Sequence, residues 1–219
     1  MKLGDAGLMG PNLVFIHFTR ATEEQMRRVK DTGGAISIAS PVELAMGHGM
    51  PPIQQALDAG LRPSLSTDVE TSMTADMFTQ MRSILTIQRG LITERAVAGE
   101  DGLPPRLTAR EVVELATVEG ARASGLDSKV GTLTPGKQAD IVLLRADLTN
   151  RLPLNNAYGA VVTGMDTRNV DTVIIGGTVR KSGGQLLGVD LGHLWDEAAA
   201  SRDYLIGKLG WTHSAVGTR

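Results

Sequence analysis

A chain of 219 residues, 42% hydrophobic and 21% charged, has the material for one large or two modest globular domains. Its net charge of -2 makes no electrostatic case for nucleic acid, and its longest apolar runs, such as Ile141-Val-Leu-Leu144, fall far short of the roughly 20 residues that cross a bilayer. With no cysteine there are no disulfides, thiolate ligands or Cys nucleophile, so any metal must be held by carboxylates and by four histidines, His17, His48, His193 and His213.

Asn12 to Phe18 is predicted to be a strand built on the apolar run Leu13-Val-Phe-Ile16, with His17 at its end. Thr22 and Gln25 have the spacing of a capping box, Met26 and Val29 share a helical face, and Gly33-Gly34 ends that helix. A second strand is expected at Ala35-Ile-Ser-Ile-Ala39, followed by a loop from Pro41 to Gly49. Pro51-Pro52 then opens a short helix, with Ile53 and Leu57 on one face, that stops at Gly60. In Arg62-Pro-Ser-Leu-Ser-Thr-Asp68 a short buried strand around Leu65 ends near an Asp. Strand and helix alternating in this way predict parallel βαβ units in an α/β protein.

A longer helix follows, with Met77, Met81, Ile84 or Leu85 and Gln88 along one face, a stripe that reads as core packing rather than as a cofactor site. Residues from about Ala98 to Arg106 form a surface connection, and Thr108 with Glu111 starts a helix running to about Ser124. From Asp127 the pattern changes to short strands at Val130 to Leu133, Ile141 to Leu144, Ala160 to Thr163 and Val173 to Ile175. Gly176-Gly177 joins the last of these to Thr178-Val-Arg-Lys181 in a tight hairpin, which predicts a small antiparallel β module. Leu191, Leu194, Ala198 and Leu205 mark one face of a final helix before a polar tail. Three parts are therefore expected, at residues 1–126, 127–190 and 191–219.

Gly131-Thr-Leu-Thr-Pro-Gly-Lys137 imitates a phosphate-binding loop, but Gln138 replaces the hydroxyl residue and a strand-like run follows, so a turn is expected instead. No Gly-x-Ser-x-Gly elbow supports a Ser nucleophile. His193 and His213 are expected on the surface. His48, between Gly47 and Gly49, is either a solvent-facing loop residue or a substrate contact. Taken alone, Asp68 could cap the segment after it, and His17 could be a satisfied core residue. Together they occupy corresponding ends of parallel strands, where a closed barrel gathers its chemistry, and Glu43 just past the middle strand would be a third member of that rim.

Phe15-Ile-His17, Ser40-Pro-Val-Glu-Leu-Ala-Met-Gly-His-Gly49, Leu65-Ser-Thr-Asp68 with Asp76-Met-Phe-Thr-Gln-Met-Arg82, Ala116-Thr-Val-Glu-Gly-Ala121 with Gly125-Leu126, and Gly131 to Val142 occur in that order. This series resembles the carboxyl-terminal half of the amidohydrolase superfamily, in its cytosine-deaminase-like and triazine-hydrolase-like branch. The resemblance implies about the last three βα units of a TIM (β/α)8 barrel plus a small antiparallel β-sandwich. It also implies hydrolysis of C-N bonds, by deamination or amide hydrolysis, of a small ring or amide through metal-activated water. Asp68 matches the metal-binding Asp after the eighth strand, which also accepts the proton of the attacking water. His17 matches the His after the sixth strand, a metal ligand in some members and a proton shuttle in others. Glu43 and His48 would face the substrate.

The family's His-x-His pair and its strand-five His are absent from this sequence, and Ile38 stands where many deaminases of the family have a His. The complete enzyme would hold a divalent metal, zinc or iron, whereas Asp68 and His17 alone fall short of the three protein ligands that a catalytic zinc needs. The partners implied are a small-molecule substrate and either an amino-terminal half or a second copy, with no nucleic acid and no membrane; a cytoplasmic location is expected. The alternative reading is a non-catalytic assembly module that needs a partner chain or self-association to complete a barrel.

Overall fold

The computed structural model describes residues 2–71 and 73–211. After helix α1 (Lys2–Asp5) come β1 (Val14–Ile16), α2 (Glu23–Asp31), β2 (Ala35–Ile38), α3 (Ser40–Ala45), α4 (Ile53–Asp58) and β3 (Ser64–Leu65). The three strands form a parallel sheet with β2 in the centre, pairing Phe15 with Ile36 and Ile38 with Leu65. Side chains alternate across a strand, so Phe15, Ile36, Ile38 and Leu65 lie on one face, and these join the apolar core. The other face carries Ile16, Ser37 and Ser64, paired in register. Beyond the strands the ladder continues, with His17 N–H donating to Ser37 O and Ser66 N–H to Ile38 O.

Thr22 and Gln25 close the capping box of α2, and Met26 and Val29 are its buried residues. The segment from Pro41 to Gly49, expected as a loop, begins instead with α3. Pro41 sits in its first turn, where a fixed φ and a missing N–H suit a helix, and Val42 is buried. Helix α5 (Met77–Val97) buries Phe78, Met81, Ile84, Leu85 and Ile92 together with Gln80 and Gln88. Its N-cap is Asp76, whose carboxylate accepts from Thr79 N–H and from the Thr74 and Thr79 hydroxyls.

Burial pushes the Asp76 carboxyl up, but the hydrogen bonds from Thr74 and Thr79 outweigh it and hold the group below its ordinary value of 3.8. The stabilisation from this cap is therefore present above the unfolded value and is lost as pH falls through the lower folded one. Asp76→Ala is expected to cost about 1 kcal/mol at neutral pH. Urea unfolding should show that deficit shrinking as pH falls below the ordinary carboxylate range.

The helix expected from Thr108 to Ser124 is two, α6 (Ala109–Ala116) and α7 (Val118–Ala123), parted at Thr117. Thr117 Oγ1 donates to the carbonyl of Val113, one turn back, a bond that tends to bend helices. Arg62, before β3, reaches both, with Nη2 donating to Glu114 of α6 and Nε to the buried Glu119 of α7.

The second sheet is antiparallel, in the order β4 (Ile141–Leu144), β5 (Val170–Ile175), β6 (Thr178–Ser182) and β7 (Gln185–Leu186). Gly176 and Gly177 have φ of 56° and 80°, the two left-handed positions of a type I′ turn. Gly183 and Gly184 repeat the device between β6 and β7.

Two strands expected here are not strands. Val130 to Leu133 is irregular, and Lys137, from the phosphate-loop look-alike, donates to the carbonyl of Val130 and to that of Asp127 ahead of the segment. Ala160 to Thr163 lies in helix α8 (Ala157–Gly164), which is capped by Asn156 and packs on α5 and α6. A four-residue apolar run suits a buried strand or a buried helix equally, and here the helix core claims Ala160 and Val162. Among the described residues the antiparallel module is one sheet, without the second layer of a sandwich. Helix α9 (Leu191–Leu209) buries none of its residues, so its apolar stripe is exposed. His193 is exposed as expected, while His213 and the rest of the polar tail lie outside the described residues. Among the described residues, no helix is long and apolar enough to cross a membrane.

Candidate active site

His17 directly follows β1, Glu43 lies in the helix after β2, and Asp68 stands three residues past β3. All three lie beyond the carboxyl ends of the parallel strands, where open and closed α/β folds place their ligands. Among the described residues, His17, Phe18 and Asp68 are the non-glycine residues with positive φ, at 62°, 54° and 55°. Such backbone is uncommon outside glycine and concentrates at functional sites, and it falls here on the two ionisable strand-end residues.

The two side chains meet, with His17 Nε2 3.6 Å from Asp68 Oδ2. Each side chain is about a quarter exposed, at 25% and 24%. Ser66 Oγ accepts the N–H of Asp68 and so holds the bend after β3.

Glu43 is not on the open rim: it is fully buried beneath His17. Its Oε1 accepts from Ala39 N–H at 2.9 Å and lies 3.2 Å from His17 Nδ1, while Oε2 is buried with no hydrogen-bond partner among the described residues. Burial pushes the Glu43 carboxyl up, against the hydrogen bonds from Ala39 and His17.

His48 is brought to the same place, its ring meeting that of His17 edge-on with centroids 4.9 Å apart. Thr19 Oγ1 donates to the carbonyl of His48 at 2.7 Å. Gly49 next to it has φ 127°, and a Cβ there would come within 3.4 Å of the Thr19 side chain, so glycine lets this loop close on β1. The four sequence candidates thus form one group. Thr19 and Ser66, which fix two of them, carry no sequence signal of their own, because their role depends on which carbonyl or N–H the fold brings near. A cavity of about 490 Å³ lies instead at the amino ends of the strands, by Ala35, Leu61 and Arg62, away from this group.

A sequence model of the amidohydrolase family matches residues 2–180. The chain belongs to the amidohydrolase family. Among curated relatives, a 5-methylthioadenosine/S-adenosylhomocysteine deaminase of Desulforudis audaxviator is 30% identical over 187 residues, which is 85% of this chain and 41% of the relative. A 5'-deoxyadenosine deaminase of Methanothermobacter thermautotrophicus is 29% identical over 94% of this chain and 46% of its own length. This amidohydrolase chain therefore spans less than half the length of the curated relatives it matches.

The zinc-bound crystal structure of an adenosine deaminase from Xanthomonas campestris superposes with a TM-score of 0.81 at 25% identity, covering 93% of this chain and 44% of that one. An atrazine chlorohydrolase from Arthrobacter aurescens, complexed with zinc, superposes with a TM-score of 0.79 at 23% identity over 90% of this chain and 42% of its own, a likeness of fold.

The donors in this chain suit such an ion in kind and spacing. A neutral imidazole nitrogen and a carboxylate oxygen are ordinary zinc ligands, and bonds of about 2.0–2.2 Å at a tetrahedral angle set two donors roughly 3.4 Å apart. Among the described residues no group of three or more His, Cys, Asp or Glu side chains converges to hold a metal, and His17 with Asp68 offers two donors.

Proposed function

We propose that this chain is the carboxyl-terminal part of a metal-dependent amidohydrolase that deaminates a small ring, of the adenosine type, by hydrolysis of a C-N bond. The observation that carries this reading is the pair of left-handed strand-end residues, His17 and Asp68, facing each other across 3.6 Å. Asp68 Oδ2 and His17 Nε2 would serve as donors to a divalent metal, zinc or iron. When bound, such an ion supplies Lewis acidity and lowers the pKa of water to about 7. Asp68 takes up the proton that the attacking water gives away, and His48, against the His17 ring, borders the space where the ring substrate lies. Adenosine-type substrates are favoured because the curated relatives include deaminases of 5-methylthioadenosine, S-adenosylhomocysteine and 5'-deoxyadenosine.

The test is ammonia release from 5'-methylthioadenosine and 5'-deoxyadenosine by the zinc-loaded native assembly, meaning this chain with any polypeptide that accompanies it from its source. Turnover of either nucleoside supports the reading. Full zinc occupancy with no turnover of any purine nucleoside contradicts the substrate class.

The open sheet edges favour a second reading. Among the described residues β1 and β3 each pair on one side only, and α9 exposes Leu191, Leu194, Trp195, Leu205 and Leu209. Unpaired edges and bare apolar faces recruit other chains. In this reading the barrel is partial, and the chain is an assembly module that completes it with a partner or a second copy. Light scattering on the purified 219-residue chain should then give a dimer or larger, and a cooperatively folded monomer would count against it.

A further inference from the structure

We propose that Glu43 is a positioning residue, holding the His17 imidazole as the Nδ1–H tautomer so that the Nε2 lone pair is presented toward Asp68. The inference deepens the metal-dependent reading and rests on it for its consequence, but the geometry stands by itself. Glu43 has no exposed surface, so it reaches a ligand only through His17.

Its Oε1 is anchored by the Ala39 N–H, a group that can only donate, at 2.9 Å, and the same oxygen lies 3.2 Å from His17 Nδ1. An acceptor pinned in this way calls for a hydrogen on Nδ1. The far nitrogen then carries the lone pair, and it faces Asp68 Oδ2 at 3.6 Å. Contact with the His48 ring edge, at 69° between planes, restrains the imidazole from a second side. A histidine that offers one nitrogen to a metal is generally oriented by a hydrogen bond from the other, and a buried carboxylate is one such acceptor.

The opposite arrangement is chemically possible, since a carboxyl proton on Oε1 would donate to Nδ1 and leave the hydrogen on Nε2. The tautomer therefore decides. A two-bond ¹H–¹⁵N correlation spectrum of the ¹⁵N-histidine-labelled chain, recorded about 2 pH units above the free imidazole value of roughly 6.5, reads it directly. His17 is expected as Nδ1–H in the parent and in Glu43→Gln, whose amide oxygen can take both hydrogen bonds. In Glu43→Leu it is expected to move toward Nε2–H, the form that free imidazole side chains favour.

Zinc affinity of the native assembly should weaken roughly 10–100-fold in Glu43→Leu and recover in Glu43→Gln. Nε2–H in the parent, or an unchanged tautomer in Glu43→Leu, would overturn the proposal, and should Glu43→Leu fail to fold the parent spectrum still decides. An Nδ1–H His17 in a protein that binds no zinc would leave the positioning role standing and refute the metal reading.

Discussion

Asp68→Asn should lower turnover by the zinc-loaded native assembly roughly 10²–10⁴-fold, the range typical for losing a general base. The substitution isolates the chemistry, because Asn tolerates left-handed backbone as well as Asp does and can keep the φ of 55° at this position. The Asp68 N–H can still donate to Ser66 Oγ, so the bend after β3 stays closed. The negative charge facing His17 Nε2 is lost, and with it the group proposed to receive a proton. Steady-state kinetics with 5'-methylthioadenosine should show the fall in kcat, with a melting temperature close to that of the parent. Turnover within tenfold of the parent would remove Asp68 from the site.

Gln88→Leu should destabilise the fold by about 3 kcal/mol, since a buried polar group left without its partner costs roughly 1–3 kcal/mol. Gln88 is fully buried in α5. Its Nε2 donates to Gln54 Oε1 at 2.8 Å and to Pro105 O at 3.1 Å, and its Oε1 accepts Leu107 N–H at 2.9 Å. One amide thus joins α4, α5 and the connection that leads into α6. Leu fills a similar volume but leaves three polar groups facing a side chain that cannot answer them. The urea midpoint should fall with little change in slope, and the melting temperature by about 6–12 °C for a chain of this size. A loss below about 1 kcal/mol would mean that the neighbouring groups find other partners.

Where local chemistry decides the structure, the sequence was easy to read. The boxes at Thr22 with Gln25 and Thr108 with Glu111 need only four neighbouring residues, and both form. Gly176-Gly177 makes its turn for the same reason. Ala160 to Thr163 looked like a strand because a short apolar run has no period of its own; only packing against α5 and α6 makes it a helix. The exposed stripe of α9 kept its helical spacing but not a core to face, a fact that periodicity does not carry.

At the site, the strand-end equivalence of His17 and Asp68 was visible because βαβ alternation puts corresponding residues at one end of a parallel sheet. Their left-handed backbone, the burial of Glu43 and the approach of His48 to His17 arise from segments about 30 to 50 residues apart meeting in space. No single stretch encodes them. Glu43 shows the difference best, because its place after β2 suggested a rim residue whereas the turn of α3 carries its side chain inward to Ala39 and His17.

The central claim is that Asp68 and His17 share one metal ion, and anomalous diffraction at the zinc edge from crystals of the native assembly tests it most directly. A zinc peak is expected within about 2.0–2.2 Å of both an Asp68 carboxylate oxygen and His17 Nε2. A fully occupied zinc peak that touches neither residue would contradict it.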